Sequence, residues 1–164
     1  QEGLLTKEEL VNASRMMVVS AKMTAGEVAT GRRRAGNVLL SKEAKQESRK
    51  SLDDLTEACM LHLPALLGKF QSDSVQLSLL LELPVQLPKD KVSLWVSGSG
   101  KASFSSLLRR LRDVFLMSGN EEVVDKASAS LHTLLSNDHA RKAEVESTIQ
   151  KTMQDLVDKA LSLL

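Results

Sequence analysis

The sequence predicts an all-α fold, a segment of an α-solenoid built from about six antiparallel helices. Three observations carry that expectation. Apolar residues recur at helical spacing through most of the 164 residues. Aromatic residues make up only 2% of a chain that is 42% hydrophobic, with one Trp, three Phe and no Tyr. A core of Leu, Val, Ala and Met suits helix-on-helix packing, whereas a β-sandwich draws on aromatic and β-branched residues. Eight Gly and three Pro are also too few for the many tight turns of an all-β chain.

The elements follow in order. Thr6-Lys7-Glu8-Glu9 has the form of a capping box, with Thr6 as N-cap and Glu9 at the third helical position. Leu10, Ala13, Met17, Val18 and Ala21 then repeat at helical spacing, and the helix should fray near Gly26 and stop by Gly31. Residues 29–40 form a basic loop. Ser41 caps a second, long helix whose apolar stripe is Leu52, Leu55, Cys59, Leu63, Leu66 and Leu67. Pro64 lies within that stripe and should kink the helix, because it removes a backbone donor and crowds the preceding turn. A short third helix runs from Ser74 to Leu83 and is stopped by Pro84.

Residues 84–103 form an irregular connector, in which Lys91 to Val96 is either a short helix or an extended piece carrying Trp95. Ser97-Gly98-Ser99-Gly100 is a flexible turn. The fourth helix places Phe104, Leu107, Leu108, Leu111, Val114 and Phe115 on one face. Gly119-Asn120 stops it, and a fifth helix restarts at once with Val123, Val124, Ala127, Leu131, Leu134 and Leu135. Asn137-Asp138 opens the sixth, whose stripe runs from Val145 through Ile149, Met153, Leu156, Val157, Ala160 and Leu161 to Leu164.

In the second half the helices pair with a period of about 35 to 45 residues, that of HEAT and armadillo arrays. The fold class is therefore a HEAT-repeat-like α-solenoid segment, with residues 1–164 as one part of a larger array. Each pair in such an array buries its apolar side against the next. The chain begins at Gln1 and ends in the apolar run Leu161-Ser162-Leu163-Leu164, so both ends look cut from a longer protein. A freestanding helical bundle is the structural alternative.

Composition also narrows the function. A single cysteine, Cys59, sits at a core-facing helical position and behaves as a small buried hydrophobe; no internal disulfide can form. No stretch reaches the roughly 18 to 20 apolar residues of a membrane span. His62, His132 and His139 lack the i, i+4 spacing of a helical metal pair, so no metal site is expected. The acidic pairs Asp53-Asp54 and Glu121-Glu122 suit helix starts and exposed faces. Gly98-x-Gly100-Lys101 lacks the spacing of a phosphate loop. With no nucleophile–base pair, neither an enzyme nor a cofactor is expected.

The net charge of +1 hides an asymmetry. Arg32, Arg33, Arg34, Lys42, Lys45, Arg49 and Lys50 crowd one segment against Glu43 and Glu47. These charges either solvate a loop and a helix start or meet phosphates. In the second case Arg32, Arg33 and Arg34 reach a duplex DNA backbone from the loop, and Lys42, Lys45 and Arg49 do so from one helical face. No aromatic residue is interleaved with them, which argues against stacking on single strands.

The stretch Leu61-His62-Leu63-Pro64-Ala65-Leu66-Leu67-Gly68-Lys69-Phe70 is followed by Gln71-Ser72-Asp73-Ser74 and by Leu79-Leu80-Leu81-Glu82-Leu83-Pro84. With Gly31-Arg32-Arg33-Arg34 before it, this order resembles the stromal antigen family, the HEAT-repeat subunit of cohesin. Family members carry a basic loop, then "LP-x-LL-x-K-[YF]", then "[AS]-D-x-x-x-[VL]-x-x-LL-x-[IL]-P". Leu107 to Phe115, Glu121 to Ser128, and Val145 to Asp158 are similar to three later family helices. The family's usual Tyr is either replaced by Trp95 or lost, and Ala127 stands in place of a family Cys, which marks a divergent member. The resemblance implies a non-enzymatic scaffold that binds the kleisin subunit and duplex DNA in sister-chromatid cohesion and chromosome organisation, in the nucleus. It places a kleisin-facing acid at Glu146, with Asp155 and Asp158 as further candidates. The functional alternative is a helical-repeat adaptor of an unrelated pathway.

Overall fold

Ser41 shows how this sequence begins a helix. Its hydroxyl accepts a hydrogen bond from the Ala44 amide at 3.2 Å, which satisfies one of the donors left open in a first turn. From there α2 runs from Lys42 to Lys69. The computed structural model describes residues 6–30, 32–33, 38–98, 101–137 and 139–163. Among these residues there are eight helices and one two-residue strand pair.

The first helix, α1 (Lys7–Thr30), starts as its capping box requires. The Thr6 amide donates to the Glu9 carboxylate at 2.7 Å, and the Glu9 amide donates back to the Thr6 hydroxyl at 3.3 Å. Its buried face includes Ser14, Val18 and Ala21, while Ala13 is exposed. The expected stripe thus gives way by one residue to a polar one. Ser14 is accommodated because its hydroxyl donates to Gln76 Oε1 at 2.7 Å.

Within the basic loop, β1 (Arg32–Arg33) and β2 (Val38–Leu39) pair antiparallel, Arg32 opposite Leu39 and Arg33 opposite Val38. Arg34 lies outside the described residues. The second helix passes through Pro64 without ending, and Leu52, Cys59, Leu63 and Leu67 are buried as their spacing predicts.

Pro84 begins a helix instead of stopping one. The third helix, α3 (Ser74–Leu80), is capped by Asp73 and ends before it; α4 (Leu83–Gln86) then carries Pro84 in its first turn. There the missing amide hydrogen would have no intrahelical partner anyway. The region 84–103 is also more regular than an irregular connector, since α5 (Lys89–Ser97) occupies its middle and α6 (Lys101–Met117) its end. Gly98 follows α5, and residues 99 and 100 lie outside the described residues.

Asn120 caps α7 (Glu121–Ser136), its side-chain oxygen accepting from the Val123 amide at 3.1 Å. Asn137 closes α7 and does not open the next helix, because α8 (Lys142–Leu161) begins only after a turn at 139–141. The six expected helices become eight for this reason: one connector folds locally into short helices.

The core is one cluster that includes Met60, Leu63 and Leu67 of α2 and Phe104, Leu107 and Leu111 of α6. These two helices form the central seam. On one side α1 packs on α2, and α3 and α4 fill the space between α1 and α7. On the other, α7 and α8 pack on α6 and on each other. A charged bridge joins these layers. Glu82 accepts from Lys22 of α1 at 2.6 Å and from Lys126 of α7 at 2.8 Å. His139 is a satisfied core histidine: its Nε2 lies 3.0 Å from the Leu134 carbonyl, its Nδ1 accepts from the Arg141 amide at 3.2 Å, and its ring meets Phe104 edge-on.

Candidate functional site

Two charged helix faces are the candidates, one basic and one acidic. The basic face belongs to the first turns of α2. Ser41 fixes where that helix begins, so the 3.6-residue repeat decides which side chains align. Lys42, Lys45 and Arg49 are all exposed and fall within about 60° of one another around the axis. Glu43 and Glu47 lie about 100° or more away from Lys42 and do not interrupt the strip. The Glu43 carboxyl is held below its ordinary range by its own backbone amide and by Ser41, so it stays charged at the helix start.

Asp53 continues the basic strip one turn further and would break its sign. It is engaged instead by Lys91 of α5, whose Nζ donates to Asp53 Oδ2 at 2.8 Å. That bond raises the Lys91 pKa, and the nearby Arg49 charge opposes the rise. Lys91 therefore offsets the one acid that would interrupt the strip. The sequence carries no signal for it, since 38 residues separate it from Asp53. Both side chains are more than a third exposed, so the pair adds little to stability and mainly adjusts local charge. Arg32 and Arg33 stand in β1, before α2.

The acidic face belongs to α8, and the structure separates its three candidates. Glu146 is exposed, with no ion pair among the described residues. Asp155 lies nine residues on, which is about 180° around the helix. It turns to α6, where Arg112 Nε donates to its Oδ2 at 3.1 Å and Arg112 Nη2 binds the same oxygen. Asp158 is exposed and accepts from Gln154 Nε2 at 2.8 Å. One flat partner surface cannot read Glu146 and Asp155 together. The resemblance places them by position along the chain, and the helical repeat sends them to opposite sides.

The apolar stripe of α8 also divides. Val145 is fully buried, yet Met153, Val157 and Leu161 are each at least half exposed. Between α7 and α8, over Phe115, lies an apolar hollow of about 250 Å³ lined by Leu131, Leu135, Ile149 and Met153. Among the described residues no three His, Cys, Asp or Glu side chains cluster as metal ligands would. No described helix is long and apolar enough to cross a membrane.

Comparison with known proteins gives a consistent picture. Residues 1–164 match the family described as the cohesin subunit SCC3/SA HEAT-repeats domain. The chain is 26% identical over 162 residues to sister-chromatid cohesion protein 3 of Arabidopsis thaliana, covering 97% of this chain and 14% of that protein. It is 28% identical over 132 residues to cohesin subunit SA-1 of Xenopus laevis, covering 79% of this chain and 10% of that protein. The chain thus spans about a seventh or less of the length of these relatives. The all-α helix stacking agrees with a HEAT-repeat solenoid segment.

Proposed function

The chain belongs to the cohesin subunit SCC3/SA family, and from that premise we propose that it is a non-enzymatic scaffold segment acting in sister-chromatid cohesion and chromosome organisation. Its place is the nucleus, on chromosomes. Its partners are the kleisin subunit of cohesin and duplex DNA. The observation that carries this proposal is the family match over the whole chain, residues 1–164. A stacked helical array suits the role, because its surface is long and its charged faces are held on rigid elements.

Glu146 is the first residue to test for kleisin contact. It is exposed next to the buried Val145, whereas Asp155 is engaged by Arg112 and Asp158 by Gln154. For DNA, Lys42, Lys45 and Arg49 supply aligned phosphate contacts, with Arg32, Arg33 and Arg34 before them in the chain. Such contacts give affinity and salt dependence without base readout.

Titrating the central region of a matched kleisin into the protein tests the first part. Glu146→Lys should weaken binding roughly tenfold, equivalent to about 1.4 kcal/mol, with helicity unchanged. Unchanged affinity would remove Glu146 from the interface. Binding to duplex DNA across a salt series tests the second part. Changing Lys42, Lys45 and Arg49 to Glu should reduce the slope of log K against log salt by about one for each phosphate no longer neutralised. A slope that does not move would leave α2 outside the DNA interface.

A further inference from the structure

The seam between α2 and α6 is closed below and open above. Leu63, Leu67, Leu107 and Leu111 are fully buried beneath it. Above them lies a groove of about 340 Å³. One wall is α2, through Leu61, Pro64 and Ala65; the other is α6, through Ser103, Ser106, Arg109 and Arg110. The α6 residues share a face by their spacing. Ala65, Ser103 and Ser106 are too short to fill the space, which leaves an open depression between the two helices.

The groove is asymmetric in character. Leu61 is 51% exposed at its α2 wall, an apolar contact without a cover. Arg109 and Arg110 supply two cations on the α6 wall, and among the described residues none of the lining is acidic. The nearest acid along α6, Asp113, faces a neighbouring hollow with Gln71 and Ser72, and Arg110 stands between the two hollows. Arg112, by contrast, is committed to Asp155 on another side of α6. Gly68 helps set the position of Arg110. A Cβ at position 68 would stand 3.1 Å from the guanidinium carbon, so the glycine lets that group lie a few tenths of an ångström closer to α2 than a larger residue would.

We propose that this groove is a docking site for a peptide segment of a protein partner, one that places an apolar side chain against Leu61 and Ala65 and a carboxylate on Arg109 and Arg110. Charge complementarity selects the acidic partner. Arginine presents a planar fork of donors that matches a carboxylate, and the Ser103 and Ser106 hydroxyls offer further donors on the same wall. The exposed apolar wall selects a peptide over nucleic acid. A duplex backbone is satisfied by cations alone, as on the Lys42–Arg49 strip, and would leave Leu61 uncovered, whereas a peptide can place an apolar side chain there and a carboxylate on the arginines. The proposal goes beyond the cohesin scaffold role, and it requires neither Glu146 nor the basic strip of α2.

An array of 12-residue peptides tests it, each peptide with one Leu and with zero to three Glu at varied distance from it. The full chain should bind Leu-plus-Glu peptides at least tenfold more tightly than the peptides without Glu. Arg109→Glu with Arg110→Glu should abolish that preference. Ala65→Trp, which fills the open depression and leaves every charge in place, should weaken the same peptides at least tenfold while helicity by circular dichroism stays unchanged. Equal binding of acidic and neutral peptides, or acidic peptides held equally by the double charge reversal, would overturn the proposal. So would a 20-base-pair duplex that loses affinity on the charge reversal while no peptide binds, since the arginines would then serve nucleic acid.

Discussion

Cys59 illustrates how one side chain's chemistry follows from its place. It is 3% exposed in the core, and burial pushes its thiol pKa up to about 11. The thiolate is the reactive form, so a thiol reagent at pH 8 should leave Cys59 unmodified in the native protein and label it fully in urea. Glu82 is the opposite case, a carboxylate stabilised in its charged form. Hydrogen bonds from Lys126 and then Lys22 hold its pKa below the ordinary range. Its stabilising effect is therefore present above the ordinary carboxylate value of about 4.3 and is lost as pH falls through the lower folded value. Glu82→Gln should lower stability by about 1–2 kcal/mol at pH 7, measured by urea unfolding. The difference should narrow as the pH is taken below about 4.

Four helix starts among the described residues carry side-chain caps. Thr6, Ser41, Asp73 and Asn120 each accept from an amide of the first turn. Asn120→Ala removes the bond to Val123 and should cost about 1 kcal/mol in unfolding, with α7 otherwise intact. Of these four starts, those at Thr6, Ser41 and Asn120 are legible from local sequence, because capping chemistry is local. The role of Pro84 is not. A proline is compatible with the end of one helix and with the first turn of the next, and only the packing of α4 against α1 and α7 selects the second. The regularity of residues 84–103 is hidden for a related reason: α5 is short, and its helical form depends on contact with α2 and α6.

Across the molecule, α2 and α6 form the seam on which the other helices are arranged. Phe104 is fully buried there, with His139 edge-on to its ring and the Arg141 guanidinium 5.5 Å from its centroid. Phe104→Ala should destabilise by about 3–5 kcal/mol, because it opens a cavity where α6 and the turn before α8 meet. Thermal unfolding by circular dichroism measures this. A much smaller loss would mean that α8 docks independently of that contact. At the two ends, α1 leaves Met16, Val19 and Met23 exposed, and α8 leaves Met153, Val157 and Leu161 exposed. Stacked arrays cover such stripes with neighbouring helices. The family match also favours cohesin over an adaptor of an unrelated pathway.

The helical class, the core faces of α2, α6 and α7, and the family were legible in the linear chain, because periodicity, caps and ordered short phrases are properties of neighbouring residues. The charged surfaces were legible only in part. Lys42, Lys45 and Arg49 align because one helix carries them, but Lys91 offsets Asp53 through a contact between α2 and α5. Glu146, Asp155 and Asp158 look alike as acids on one helix, and Arg112 of α6 separates Asp155 from the others. The Arg109–Arg110 groove had no linear signal at all. Its walls come from helices far apart in sequence, and side chains too short to fill a seam leave a depression only after the seam has formed.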